Sequence, residues 1–350
     1  MVENRAFIYK AIPVGWPEPG KHLEVQSFPF DLEATPPKDG LVTQNVYATF
    51  DPSQRGRMRE SAINSYSAPM EPGTAVIAVH VISKVLKSDT ERFQPGDLLM
   101  IDLWSTEEYS ILPAEAANRA RLLTEVPGVP ITAYLGALGM TGLTAYGSLM
   151  EIGKPKKGET ILVSAAAGAV GQIVGQLAVK EGLTVIGSVG DDAKLDFITQ
   201  KLGFHSGFNY KKEKPTDALK RLAPNGIDIY YDNVGGELLD VAIAHLRDFG
   251  RIVACGAVSQ YNAESGNKYK LENYTSIPRK RIFWQGFIVI DENIKKHAGD
   301  RDRKFREWIA SGELVSTDYI TKGIQNAVDG FLGMLSGANL GKSILQISEV

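Results

Sequence analysis

The spacing of apolar and polar positions divides this chain into two regimes. Up to about Val126, short runs rich in Val, Ile, Phe and Tyr are broken by Pro and Gly: Phe7 to Tyr9, His22 to Phe28, Gly40 to Phe50, Thr74 to Leu86 and Asp97 to Leu103. Such runs predict a compact all-β domain, with Glu33-Ala-Thr-Pro-Pro37 as a turn or linker inside it. Then the period lengthens. Ile131 to Leu138 and Thr141 to Met150 read as helices, and from Thr160 buried-strand runs alternate with helical ones. The strands expected are Ile161 to Ala165, Thr184 to Val189, a third that precedes Tyr210, Ile227 to Tyr231, Arg251 to Cys255 and the hydrophobic Ile282 to Ile290, with a helix over Glu237 to Arg247. This order predicts an α/β doubly wound parallel sheet whose ligand crevice lies at the carboxyl ends of its strands. Arg303 to Ala310 and Ile324 to Ser336 read as helices and Ser343 to Ile347 as a last strand, a tail expected to rejoin the first domain. The β-rich domain is thus expected over 1–127 with 311–350, and the sheet domain over 128–310.

The junction after the first of these strands carries candidate chemistry. Ala166-x-Gly168-x-x-Gly171 has the dinucleotide spacing with alanine in the first glycine place. Small side chains there let backbone N–H groups and the positive end of a helix approach a pyrophosphate, so Gly168, Ala169, Val170 and Gly171 are expected to meet it. The same turn would also serve a helix packed tightly on a strand. The next strand ends in Gly190, where an NAD-binding fold places a carboxylate for the ribose 2′-hydroxyl. Glycine leaves room for a 2′-phosphate, with Lys194 to pair with it and Tyr210 to cover the adenine side. Asp191 and Asp192 would repel phosphate if they pointed inward; they read as the N-cap and first-turn acid of the following helix. NADP(H) is therefore expected in preference to NAD(H).

Composition narrows the class. The 350 residues are 23% charged and 43% hydrophobic with net charge −3, which calls for neither nucleic acid nor a membrane surface. Met1 to Phe7 lacks the basic and apolar regions of a secretory leader, and no apolar run is long enough to span a bilayer. The single cysteine, Cys255, rules out an internal disulfide and a thiolate zinc cluster, so a reducing cytoplasm is expected. The apolar Ile282 to Ile290 run ends the sheet, and an exposed apolar edge invites pairing, so a homodimer is expected there.

Several ordered motifs carry a resemblance: Asp51-Pro with Arg55 to Met58, Gln94-Pro-Gly-Asp97, Ser164 to Gly171, Lys201-Leu-Gly-Phe204, Phe208-Asn-Tyr210, Asp232-Asn-Val-Gly-Gly-Glu237, Gly250-Arg-Ile-Val, Cys255 to Asn262 and Asn339-Leu-Gly-Lys342. Together they resemble the zinc-free, NADP-dependent alkenal and double-bond reductases of the medium-chain dehydrogenase/reductase superfamily, over nearly the whole chain. The resemblance implies a GroES-like β-rich domain beside a Rossmann domain. It implies that Asn233 touches the cofactor, that Cys255, Gly256, Ala257, Val258, Ser259, Gln260 and Tyr261 run along its nicotinamide half, that Phe287, Ile288 and Val289 lie beside the ring, and that Asn339 reaches in from the tail. Each residue also has a plainer reading: Asn233 a turn residue before Gly235 and Gly236, Tyr210 a half-buried ring, Asn339 a helix C-cap.

Metal-dependent members of the superfamily hold zinc through a Cys and a Gly-His-Glu segment. Here Asp51-Pro52 stands in the first region, and His80 is followed by Val81 and Ile82. Catalytic zinc is not expected. Without that Lewis acid, alcohol oxidation lacks its usual alkoxide stabiliser, and the resemblance implies hydride addition from NADPH to the β-carbon of an α,β-unsaturated ketone or aldehyde. Tyr261 is the candidate donor to the enolate oxygen, directly or by positioning the cofactor ribose, with Tyr66 second. Where relatives carry Asp-Pro-Tyr-Met-Arg this chain has Asp51-Pro-Ser-Gln-Arg55, so Ser53 and Gln54 replace an aromatic wall, and His80 stands in Val79-His80-Val81 where an aromatic is usual. These three are candidate substrate residues, His80 also reading as a satisfied core side chain. A quinone reductase of the same superfamily, and a nucleotide-binding protein without turnover, remain the alternatives.

Overall fold

The computed structural model describes residues 1–264 and 266–349. The chain forms two units: 1–126 with 318–339 and 343–350, and 127–317 with 340–342.

In the first unit the strands are β1 (Val2–Tyr9), β2 (Leu23–Phe30), β3 (Leu41–Thr49), β4 (Thr74–Ala75), β5 (Ile77–Ser88), β6 (Leu98–Ser105), β7 (Tyr109–Leu112) and β8 (Arg121–Leu122), with the short helices α1 (Pro52–Arg57) and α2 (Ala114–Arg119). β2-β1-β4 make one sheet, and a seven-stranded sheet includes β3-β5-β6-β8 with β7 paired on β3. The strands serve two cores, one built on Phe7, Phe50, Met58, Met70 and Val81 and the other on Leu41, Val85, Leu99, Ile101 and Leu112.

The second unit alternates. Helix α3 (Met140–Ser148) precedes β9 (Thr160–Val163), α4 (Ala169–Lys180), β10 (Thr184–Val189), α5 (Asp192–Gln200), β11 (Ser206–Asn209), α6 (Pro215–Leu222), β12 (Ile227–Asp232), α7 (Gly236–His245), β13 (Leu246–Ala254), α8 (Ser276–Lys280), β14 (Phe283–Gly286), α9 (Glu292–Lys295) and α10 (Ala298–Ser311). The sheet runs β11-β10-β9-β12-β13-β14, and the pairings are parallel throughout. The strand order reverses between β9 and β12, the switch point at which such sheets bind ligands beyond their carboxyl ends. Ile161, Leu162, Val163, Val185 and Ile186 are fully buried, as expected of strands covered on both faces.

The tail returns to the first unit as β15 (Asp318–Lys322), α11 (Ala327–Ser336) and β16 (Lys342–Gln346), with β16 antiparallel to β3. Phe331 drives this return: its ring lies 5.9 Å from both Phe7 and Phe50. The return begins at Asp318, not at 311. Two glutamines one turn apart on α4 hold the intervening backbone: Gln176 exchanges bonds with Val315 and Gln172 with Thr317, at 2.8 to 3.1 Å. Two further expectations change. The segment from Ile131 is a short 3-10 turn ending at Leu135. The final strand stops at Gly286, and Phe287 to Ile290 leave the sheet into a turn where the Ile288 amide donates to Asp291 Oδ2 at 2.8 Å.

Candidate active site

The turn from β9 to α4 is built by close approach of backbone. Ala165 takes a left-handed conformation with φ of 46°, and Gly168, extended, is the N-cap of α4. The Gly168 amide donates to Ala165 O at 2.9 Å, and the Gln172 amide to Gly168 O at 3.0 Å. The amides of Ala169, Val170 and Gly171 therefore lie in the first turn, ahead of that bond, where a helix presents N–H groups and its positive end. A Cβ on Gly171 would stand 2.3 Å from Ala165 O, so no side chain fits there. The spacing read from sequence thus produces an amide-lined turn, with the strained residue at Ala165 rather than Ala166.

Beyond β10 the expected neighbours come together. A Cβ on Gly190 would lie 3.0 Å from Tyr210 Oη, so the phenol crosses directly over the glycine. Asp191 caps α5, accepting from the Lys194 amide at 2.8 Å, and its Oδ2 is 3.6 Å from Lys194 Nζ. Asp192 is answered separately, by Asn209 Nδ2 at 2.8 Å and by Lys212; these two bonds, Lys212 foremost, hold its carboxyl below the usual range. Both acids are spoken for within the fold. Lys212 carries the charge compensation that sequence reasoning missed, because its partner lies twenty residues away in sequence.

The loops after β12 and β13 close onto the same turn. Asn233 donates its amide to Ser164 Oγ and its Nδ2 to Ser164 O, both at 2.8 Å. Asp232, buried, accepts at Oδ1 from Tyr230 Oη and from the Val234 and Gly235 amides at 2.8 to 3.0 Å. Burial pushes its carboxyl up, against those donors. The Cys255 and Gly256 amides donate to Asp232 O, Val258 to Asn233 O and Ser259 to Val234 O, and Ser259 Oγ also reaches Val234 O at 2.6 Å. Gln260 Nε2 donates to Ser259 Oγ, and Tyr261 Oη accepts from the Ala257 amide at 3.2 Å. Asn233 and the run Cys255 to Tyr261 are therefore one interlocked surface. Ser164 and Asp232, which hold it, were not singled out; an Asp three residues before a glycine turn is the signal that could have found the second. Phe287, Ile288 and Val289 follow β14 half-buried.

The remaining residues belong to the first unit. Ser53 is half-buried in the first turn of α1. Gln54 is 1% exposed: its Oε1 accepts from the Asp51 amide at 2.7 Å and its Nε2 donates to Ile77 O at 3.0 Å. That residue caps α1 and does not line a pocket, since both ends of its amide are occupied. Tyr66 is exposed on a loop that Arg57 and Arg59 pin through Ala68 O, Ile63 O and Gly56 O. His80 Nδ1 lies 2.7 Å from Asp102 Oδ1, and Arg121 Nη2 reaches the same oxygen at 3.0 Å. Burial alone would raise the Asp102 carboxyl; His80 and Arg121 outweigh it and hold the group low. Asn339 follows α11, whose C-cap is Gly337, so it is not the capping residue.

His80 Nδ1 is taken by Asp102, and burial pushes the Cys255 thiol up to about 12. Among the described residues no three His, Cys, Asp or Glu side chains converge on one point. A cavity of about 430 Å³ lined by Lys220, His245, Arg247 and Lys280 opens beside the segments that enter β12 and β13, away from the amide-lined turn.

A parallel sheet of this order, with an amide-lined turn at its switch point and a β-rich unit drawn from both ends of the chain, defines a dinucleotide-dependent oxidoreductase. Residues 5–119 match the family described as the N-terminal domain of oxidoreductase, and 169–300 match zinc-binding dehydrogenase. The NADP-dependent oxidoreductase RED1 of Cochliobolus heterostrophus is 44% identical over 351 residues, covering 100% of this chain and 99% of that protein. The NADP-dependent 2-alkenal reductase of Nicotiana tabacum is 37% identical over 353 residues, 99% of this chain and 98% of that one. The crystal structure of CurA from Vibrio vulnificus in complex with NADPH superposes with a TM-score of 0.87 at 31% identity, over 99% of this chain and 100% of that chain. The chain belongs to the medium-chain dehydrogenase/reductase superfamily, in its alkenal and double-bond reductase branch.

Proposed function

We propose that this protein uses NADPH to reduce the carbon–carbon double bond of α,β-unsaturated ketones or aldehydes. The observation that carries the reading is the clustering of the α4 turn, the Gly190, Lys194 and Tyr210 group, and the interlocked Asn233 and Cys255 to Tyr261 loops at the carboxyl ends of one sheet. NADPH, when bound, supplies the hydride. The amides of Ala169 to Gly171 hold the pyrophosphate, Lys194 the 2′-phosphate and Tyr210 the adenine side. Asn233, its amide nitrogen spent on Ser164, offers its carbonyl oxygen to a ribose hydroxyl.

Tyr261 is assigned to the carbonyl oxygen of the substrate. An N–H donated to a phenol oxygen strengthens the phenol as a donor, and Ala257 makes that bond here. A donor aimed at developing oxyanion charge contributes about 3 kcal/mol to the transition state. Ser53 and His80 are assigned to the substrate, and Tyr66 is the second candidate donor. No helix is long and apolar enough to cross a membrane among the described residues, and a reducing cytoplasm suits the lone thiol. A second copy of the chain is the expected partner, through β14.

The test is NADPH consumption with a panel of enones, enals and quinones, with NADH run in parallel. Faster turnover of quinones than of enones would replace this reading with quinone reduction, and saturable NADPH binding without any turnover would remove the enzyme reading.

A further inference from the structure

Asp240, on α7, is 2% exposed, and no Lys, Arg or His side chain pairs with it among the described residues. A buried carboxylate without a cation is retained only where donors answer it. Here the donors come from one strap, residues 266–275. The Glu272 and Asn273 amides donate to Oδ1 at 2.9 and 2.8 Å, and Asn273 Nδ2 and Tyr269 Oη approach Oδ2 at 2.9 and 3.5 Å. Residues 272 and 273 open the helical run 273–280. Asp240 thus acts as a cap supplied from another helix, its charge placed at the positive end.

The strap is tied at a second point. Gln260 Oε1 accepts from the Tyr269 amide at 2.8 Å, while Gln260 Nε2 donates to Ser259 Oγ, which in turn holds Val234 O. Leu271 packs on the core that includes Leu239 and Ala242 of α7. Residues 266–275 therefore bridge α7, which begins at the Asn233 to Gly236 turn, and the 255–261 loop, and both ends of that bridge are polar contacts.

We infer that Asp240 is a positioning residue: by latching 266–275 to α7 it sets, through Gln260, the 255–261 loop against the cofactor. The inference rests on the cofactor reading above. Lys268 and Lys270 lie exposed on the strap, so trypsin reports its opening directly. Cleavage of a locally opened segment follows the open population.

Asp240→Asn keeps the shape and removes the charge, and Asn273→Ala removes one bond from the strap side only. Both are expected to raise cleavage at Lys268 and Lys270, about tenfold for Asp240→Asn, and to weaken NADPH binding several-fold, with the thermal midpoint of the whole chain little moved. Saturating NADP⁺ should slow cleavage of the unaltered protein. Unchanged cleavage in both variants overturns the latch, and faster cleavage with unchanged NADPH affinity overturns its coupling to the cofactor loops. If the unaltered protein binds no NADPH, the cofactor reading itself has failed and the inference falls with it, a result distinct from the other two.

Discussion

The Ala257 amide donates to the phenol oxygen of Tyr261 at 3.2 Å, across the single turn of 3-10 helix that separates them. The phenol oxygen is thereby held against its own loop.

Tyr261→Phe removes the hydroxyl and keeps the ring. Its kcat with an enone substrate should fall about a hundredfold, with NADPH affinity within about threefold of the unaltered protein. Stopped-flow turnover beside fluorescence titration of NADPH separates the two. A loss of affinity with kcat preserved would move the residue's role to holding the ribose.

Lys194 reaches back to Asp191, the residue after Gly190, its side chain only 12% exposed and its charge partly spent on that carboxylate. Lys194→Ala should weaken NADPH by about tenfold or more and leave NADH almost unaffected. Parallel KM measurements for the two cofactors check it; equal losses for both would place the lysine elsewhere.

Cys255 is half-buried as a residue with its sulfur turned inward, and burial of the thiol, opposed by the Tyr231 hydroxyl and aided by Asp232, raises it from 9.0 to about 12. The unfolded chain releases that proton near its ordinary value while the folded chain retains it. The stability this group contributes is therefore full below pH 9.0 and is lost as pH rises toward about 12. Denaturant midpoints should decline through that window less steeply in Cys255→Ala, and iodoacetamide should label the native thiol far more slowly than the denatured one at neutral pH. Equal labelling rates would show that the thiol is not shielded.

Phe283 and Trp284 are 49% and 40% exposed on β14, the last strand of its sheet, whose outer edge has no neighbouring strand among the described residues. Two copies paired edge to edge would cover both rings and satisfy the backbone groups of that edge. Light scattering at micromolar concentration should give twice the mass of one chain, and Trp284→Lys should shift it toward a monomer. A single-chain mass for the unaltered protein would remove the dimer.

Much of the α/β unit was legible because its signals are local. Thr184 to Val189 forms β10 over the same residues, and Asp191 caps α5 as its position before a helical run implied. A buried strand must be apolar, and a helix start needs an acceptor for its first amides. Both demands fall on residues adjacent in sequence. The α4 turn was readable for the same reason, since only small residues allow backbone to approach backbone within a few positions.

What the tertiary structure decided are relationships between distant residues. Gln54 looked like a pocket residue until its amide was seen spanning Asp51 and Ile77. His80 gained Asp102 across a strand pair, the tail began at Asp318 because Gln172 and Gln176 claimed the backbone before it, and Asp240 found its donors some thirty residues on. The sequence by itself determined where strands, helices and the amide-lined turn lie, because those depend on side-chain size and polarity at fixed short spacing. Which polar groups answer one another was decided only by folding, because a hydrogen bond depends on distance and direction between atoms that chain order does not constrain.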